Sequence, residues 1–261
     1  MIDVLFKSYL IRKKPIYSVL LGFFFVVIGY GFSFLIFHEN PSFPSILLTT
    51  LAAAPVMIRL IEIEKWEPKH EKVAGKLFER HKGVIEAYFN LFFGMAIAFA
   101  ILYILLPENM SNVIFSEQSK KFVSGLFIEP RTVLSMILLN NIGLLFLFFL
   151  LSLFYGAGSV FLLTWNASIL GVVWGRAFKS IFISGISLFF IQKTLFAFPY
   201  LLPEVLAYFL ASVAGGIVSV NLNKKKRIKT AMLDSLLILG ISIIIILIAG
   251  VVEVLIASYF V

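Results

Sequence analysis

Long apolar runs separated by short polar or charged segments recur along this chain. Each run is close to the roughly 20 residues that a helix needs to cross about 30 Å of hydrocarbon. The first, Tyr17–Phe37, follows Lys7, Arg12, Lys13 and Lys14. That start superficially resembles a signal peptide. Its apolar stretch is too long for one, and Phe37-His38-Glu39-Asn40-Pro41 offers no small-residue cleavage site, so it reads as a retained span with the N-terminus cytoplasmic. Phe43–Ile61 is a second, shorter span that Pro55 is expected to kink. A third covers Ile85–Leu106 and stops at Pro107; a mixed loop to Arg131, without basic bias, is read as external. The fourth is Thr132–Phe154 and the last Ala231–Ser258.

Between the second and third spans the pattern changes. From Glu62 to Lys82 charges fall at nearly every other position, while Trp66, His70, Val73, Leu77, His81 and Val84 recur at steps of three and four. That spacing makes one helical face. We read an amphipathic helix on the inner membrane surface feeding the third span; a helix that binds a membrane or cytoplasmic protein is the functional alternative.

The stretch after the fourth span is the hardest to place. Tyr155-Gly156-Ala157-Gly158-Ser159 interrupts the apolar run, Val160–Trp174 follows, then Arg176 and Lys179, Ser180–Phe198, and Glu204–Asn221. Counting every run as a crossing puts Lys224–Lys229 outside, against the positive-inside rule. Letting residues 156–175 dip in and return places every basic cluster inside, and such a backbone is allowed where protein or a water-filled cavity surrounds it. The fold expected is therefore all-α: a polytopic α-helical membrane protein with about seven transmembrane helices plus one re-entrant or half-length element. Eight full crossings is the alternative. Three regions follow: an N-terminal helix pair (1–61), the amphipathic segment (62–83) and a transmembrane core (84–261).

Composition agrees with the pattern. Of 261 residues, 61% are apolar and 14% charged, against roughly 45–50% and 25% in soluble domains. One soluble core cannot hide so much apolar surface, which excludes a soluble enzyme, a disordered regulator and a nucleic-acid-binding domain. The net charge of +8 belongs to basic loops facing anionic headgroups. There is no cysteine, so disulfides, thiolate chemistry and cysteine-held metals are absent.

Intramembrane polar residues are the functional leads, because lipid makes each costly. Asn140 and Asn141 lie in the fourth span, Asn166 in the unusual element, and Gln192 and Lys193 in the next helix. Interhelical hydrogen bonding is the plain explanation for the asparagines. Asp234 and Glu253, near opposite ends of the last span, are read as meeting headgroups. We expect Lys193 to pair with Glu204 across a Phe198–Pro203 turn, with Pro203 and Glu204 in the first turn of the following helix. Two stripes of small residues, Ala167/Gly171/Gly175 and Ala207/Ala211/Gly215/Ser219, have the i, i+4 spacing that lets backbones approach. A weak similarity links Phe149, Leu150, Ser152, Gly156, Ser159 and Val160 to Phe209, Leu210, Ser212, Gly216, Ser219 and Val220; a repeat would suit a transporter, and biased composition also yields such matches by chance.

Catalytic patterns are lacking. His70 and His81 lie eleven residues apart, about 16 Å along one helix, and cannot share a metal. No His-Glu-x-x-His, Gly-x-Ser-x-Gly or phosphate-binding loop occurs. No enzyme activity, cofactor or metal is expected.

Asn140-Asn141, Phe154-Tyr155-Gly156-Ala157-Gly158, Thr164-Trp165-Asn166-Ala167 and Gly171 together resemble the central signature of the stage II sporulation protein M family. Leu202-Pro203-Glu204, Ala207, Tyr208 and Gly215-Gly216 resemble its second signature, and Glu79-Arg80-His81-Lys82 with the first two spans looks like its archaeal branch. The resemblance implies a non-enzymatic scaffold, since the sporulation members assemble with peptidoglycan hydrolases at an engulfing membrane. This chain has Tyr200-Leu201 where members often carry His-Gly before the glutamate, which argues against a proton-linked role resting on that histidine. The function expected is a multi-pass scaffold of the cell membrane that organises partner proteins; the alternative is a small-solute or ion transporter or channel beside the re-entrant element. The partners expected are the lipid bilayer and a protein at 62–83, with homo-oligomers left open and no nucleic acid. Glu204 heads the candidate residues, followed by Lys193, Pro203, the three asparagines, Gly156, Gly158, Gly171, Gly215 and Gly216.

Overall fold

A computed structural model describes residues 15–38, 40–63, 75–119, 133–155, 158–183, 188–222 and 228–259. Every element among them is a helix: α1 (Pro15–Ile36), α2 (Ser42–Ile63), α3 (Gly75–Leu105), the short α4 (Glu108–Ile114), α5 (Val133–Tyr155), α6 (Val160–Ile183), α7 (Leu188–Asn221) and α8 (Ile228–Tyr259). Six of these, α1, α3, α5, α6, α7 and α8, are long and apolar enough to cross a membrane, and α2 carries a shorter apolar stretch, Ser42–Ile58. The protein is all-α and polytopic. In lipid this follows from the backbone, whose polar groups a helix satisfies within itself.

Two expectations change. The element expected to re-enter is a full-length helix: α6 has 24 residues, of which Val160–Lys179 are apolar enough to span. The two runs Ser180–Phe198 and Glu204–Asn221 are not separate spans, because the 34-residue α7 carries Pro199 and Pro203 in its interior. Proline reads as a breaker in water, where freed carbonyls can turn to solvent; inside a membrane the helix continues and neighbouring groups re-satisfy them. Lys193 and Glu204 therefore lie on one helix, about 16 Å apart along its axis, and no turn exists across which they could pair. The similarity at a distance of sixty residues falls on unlike structures, an α5–α6 junction on one side and the uninterrupted middle of α7 on the other.

Helix directions follow from the contacts. α1, α3, α6 and α8 run one way, from what we term the near end; α2, α5 and α7 run back. The amphipathic segment lies partly outside the described residues, Trp66, His70 and Val73 included. Residues 75–83 are the first turns of α3, so the boundary expected at 83/84 falls inside a helix. His81, buried, approaches Asp234 of α8 at 3.7 Å. Asp234 is buried too, not set among headgroups.

The helices pack as two groups. In one, α3 holds α1 and α6, and α2 lies against α1; in the other, α7 holds α5 and α8. Backbone proximity fixes both groups. Gly22 lies against the Leu91 carbonyl and Gly94 against that of Val19, so α1 and α3 touch main chain to main chain. Gly171 meets Ala96 and Phe99 of α3, and Gly215 meets the Phe149 carbonyl of α5, which places both small-residue stripes in helix contacts. Between the groups, Phe209 of α7 packs its ring on Phe92 at 5.2 Å, and Trp174 stacks on Phe93 and Phe198, each at 6.1 Å.

The far end is closed by the segment after α3. Phe115 packs between Tyr30 and Tyr103, and Gln118 is buried, accepting from Ser42 at 3.0 Å and donating to Ser168 at 3.4 Å. Lys179 donates to the Leu106 carbonyl at 2.6 Å, filling an acceptor that the end of α3 leaves open. Packing this close is testable by adding one methyl group. Gly94→Ala should destabilise the detergent-solubilised protein by about 1–3 kcal/mol through overpacking. Gly31→Ala should be silent in the same thermal unfolding assay, because a Cβ there meets nothing within 4 Å.

Candidate functional site

α5 presents Asn141, Leu145, Phe148 and Ser152 at steps of four, three and four, and all four are buried. This face lies on α7, where Phe148 stacks on Tyr208 with centroids 5.0 Å apart. One turn before Tyr208, Glu204 keeps 8% of its surface accessible. Asn141 Nδ2 donates to Glu204 Oε1 at 2.6 Å. The third member comes from α8: Glu253, half-buried, lies beside the Glu204 carboxyl. Tyr200 and Tyr208, a turn to either side of Glu204, flank the cluster.

The result is a polar tie joining α5, α7 and α8 within the membrane-spanning region. Proline just before the glutamate contributes to the local chemistry. Pro203 has no N–H to donate back to the Pro199 carbonyl, so an acceptor is freed one turn from Glu204. Sequence reasoning found both Glu204 and Asn141 but paired Glu204 with Lys193 and gave Asn141 no named partner. It assigned Glu253 to headgroup contact, whereas in the structure Glu253 is half-buried beside Glu204.

The other candidates lie elsewhere. Asn140 donates to Asn141 Oδ1 at 3.2 Å but faces outward on α5. Asn166 bonds the Leu162 carbonyl of its own helix at 2.8 Å. Gly171 and Gly215 serve helix contacts, and Gly216 of α7 is buried. Gly158, at the start of α6, lies against the Leu151 carbonyl. Gly156 lies outside the described residues. Buried Gln118 and the His81–Asp234 approach went unnoticed in the sequence; both sit at segment ends, where polar residues ordinarily meet water.

The family model for stage II sporulation protein M matches residues 18–258. The chain belongs to that family. The match takes in all three residues of the polar tie and both helix groups. No curated protein and no solved structure matches the chain. For this family member the tie has a direct energetic test. Asn141→Leu should destabilise by about 1–3 kcal/mol, since it strips a buried carboxyl of its donor. Asn141→Leu with Glu204→Leu should lose clearly less than the sum of the two single losses in thermal unfolding. Additive losses would show that the two side chains do not act together.

Proposed function

We propose that this protein is a non-enzymatic scaffold of the cell membrane that organises partner proteins, with its near end cytoplasmic. The observation that carries the reading is the placement of the polar tie. Asn141, Glu204 and Glu253 join three helices of one packed group and face one another. Transport sites lie at the interface between moving halves, and this one lies inside a single half. Buried polar groups used this way hold a fixed shape.

The orientation rests on charge. The basic segments 1–14, 64–82 and 224–229 all adjoin helix ends at the near end, where the positive-inside rule expects cytoplasm. Arg176 and Lys179 sit at the far end, and there they bond Ser119 at 3.1 Å and Leu106 at 2.6 Å. In the sequence the charged 62–83 segment precedes the α3 span, and it is the segment we assign to a partner.

The alternative, a solute or ion pathway, draws support from the intramembrane carboxyls themselves, since such groups mark pathways in many membrane proteins. Two measurements separate the readings. Photo-crosslinkers at Trp66 or Leu77 in native membranes should capture one defined protein; adducts with lipid alone would count against the scaffold. Asn141→Cys and Asn166→Cys should resist a water-soluble thiol reagent in sealed vesicles. Reaction at either position would establish a pathway and displace our reading.

A further inference from the structure

Of the apolar stretches, that of α5 is the least covered: 22% of it is buried, against 72% for α7. Its uncovered face has a pattern. Met136, Asn140, Gly143, Leu147, Leu150 and Phe154 follow at steps of four, three, four, three and four, and all are exposed. Alternating steps of that kind give the 3.5-residue period of a left-handed two-helix seam.

Two of the six are not residues that lipid tails favour. Asn140 lies about 9 Å along the axis from Leu134, the start of the apolar stretch, and so within hydrocarbon. Its amide gives one hydrogen bond to Asn141. Its carbonyl oxygen accepts none among the described residues, and a polar atom turned to lipid has no replacement for water. Gly143 is the second. Gly22, Gly94, Gly171 and Gly215 all lie against a neighbouring backbone, whereas a Cβ at Gly143 would meet nothing within 4 Å. Small residues on spanning helices admit a second backbone, and at Gly143 one protomer supplies none.

We infer that α5 pairs along this seam with α5 of a second copy of the protein, Asn140 facing Asn140 across a two-fold axis normal to the membrane. A carboxamide is self-complementary, each offering the N–H and the C=O that the other needs. Copies of one chain insert the same way, so the two α5 helices run parallel and equal positions meet. A single asparagine at an inner position of an otherwise apolar seam is also what fixes register and a two-stranded state in parallel coils. The exposed faces of α1 and α8 hold apolar residues and open glycines at Gly31 and Gly240, and they lack such an asparagine. The pairing does not depend on the scaffold reading, since a transporter could dimerise through the same seam.

The cysteine-free chain makes the test direct. Gly143→Cys, Gly31→Cys and Gly240→Cys are matched, because a Cβ at each of these glycines meets nothing within 4 Å. In oxidised vesicles of the purified protein, Gly143→Cys should give a disulfide-linked dimer and the other two only background. Adding Asn140→Leu should reduce the Gly143→Cys dimer by about three- to tenfold at a fixed protein-to-lipid ratio, and Asn140→Gln should retain most of it. Crosslinking at Gly143→Cys no stronger than at the controls would overturn the pairing. So would a dimer yield indifferent to Asn140→Leu, or a Gly143→Cys adduct in native membranes with a different protein in place of the second copy.

Discussion

Lipid tails and a neighbouring helix offer an apolar side chain nearly the same surroundings, so burial of apolar area does little to hold this bundle together. What remains is contact close enough to gain dispersion energy, together with the few hydrogen bonds that lipid cannot supply. Both are visible here. Glycines bring α1 onto α3, α6 onto α3 and α7 onto α5 at main-chain distance. The contact of α8 with α7 and α5 is supplemented by Glu253 on Glu204 and by Gly250 against Leu138. Most of the many Leu, Ile and Phe residues are interchangeable in such a scheme; these glycines are not.

The same constraint accounts for the division into two groups. Within each, glycines permit approach of backbones. Between them, large rings fill a wider space, with Phe209 against Phe89 and Phe92 and Trp174 between Phe93 and Phe198. Offset and edge-on rings tolerate small sliding better than a glycine set against a carbonyl does. His81 and Asp234 add an electrostatic contact across the same junction at the near end. The groups are thus each tightly fixed and more loosely joined.

Much of this was legible in the sequence. Apolar run length located α1, α3, α5 and α8, and spacing located both small-residue stripes. The sign of the basic segments required one fewer crossing than the count of apolar runs. In the structure the two runs that merge into one helix are those of α7, while residues 160–183 form a full-length helix. The error came from reading Pro199 and Pro203 as they behave in water, where a helix normally ends before such a residue. Gly158, set against the Leu151 carbonyl, lies between two full helices. Glu253 lies half-buried beside Glu204, a contact that its position along α8 does not reveal.

Asparagine shows where sequence reading stops. Asn140, Asn141 and Asn166 look alike in the sequence, each a polar break in an apolar run, yet their surroundings differ in kind. Asn166 closes a bond within its own helix. Asn141 falls in phase with Leu145, Phe148 and Ser152, the face that meets α7, and there it finds Glu204. Asn140, one residue and about 100° away, falls in phase with the outward seam. Helical phase thus separates two adjacent, identical residues into an internal tie and an exposed amide. The bond from Asn140 to Asn141 then links the two faces. Asn140, Asn141 and Glu204 thus form one chain of hydrogen bonds from the outward seam to the face on α7.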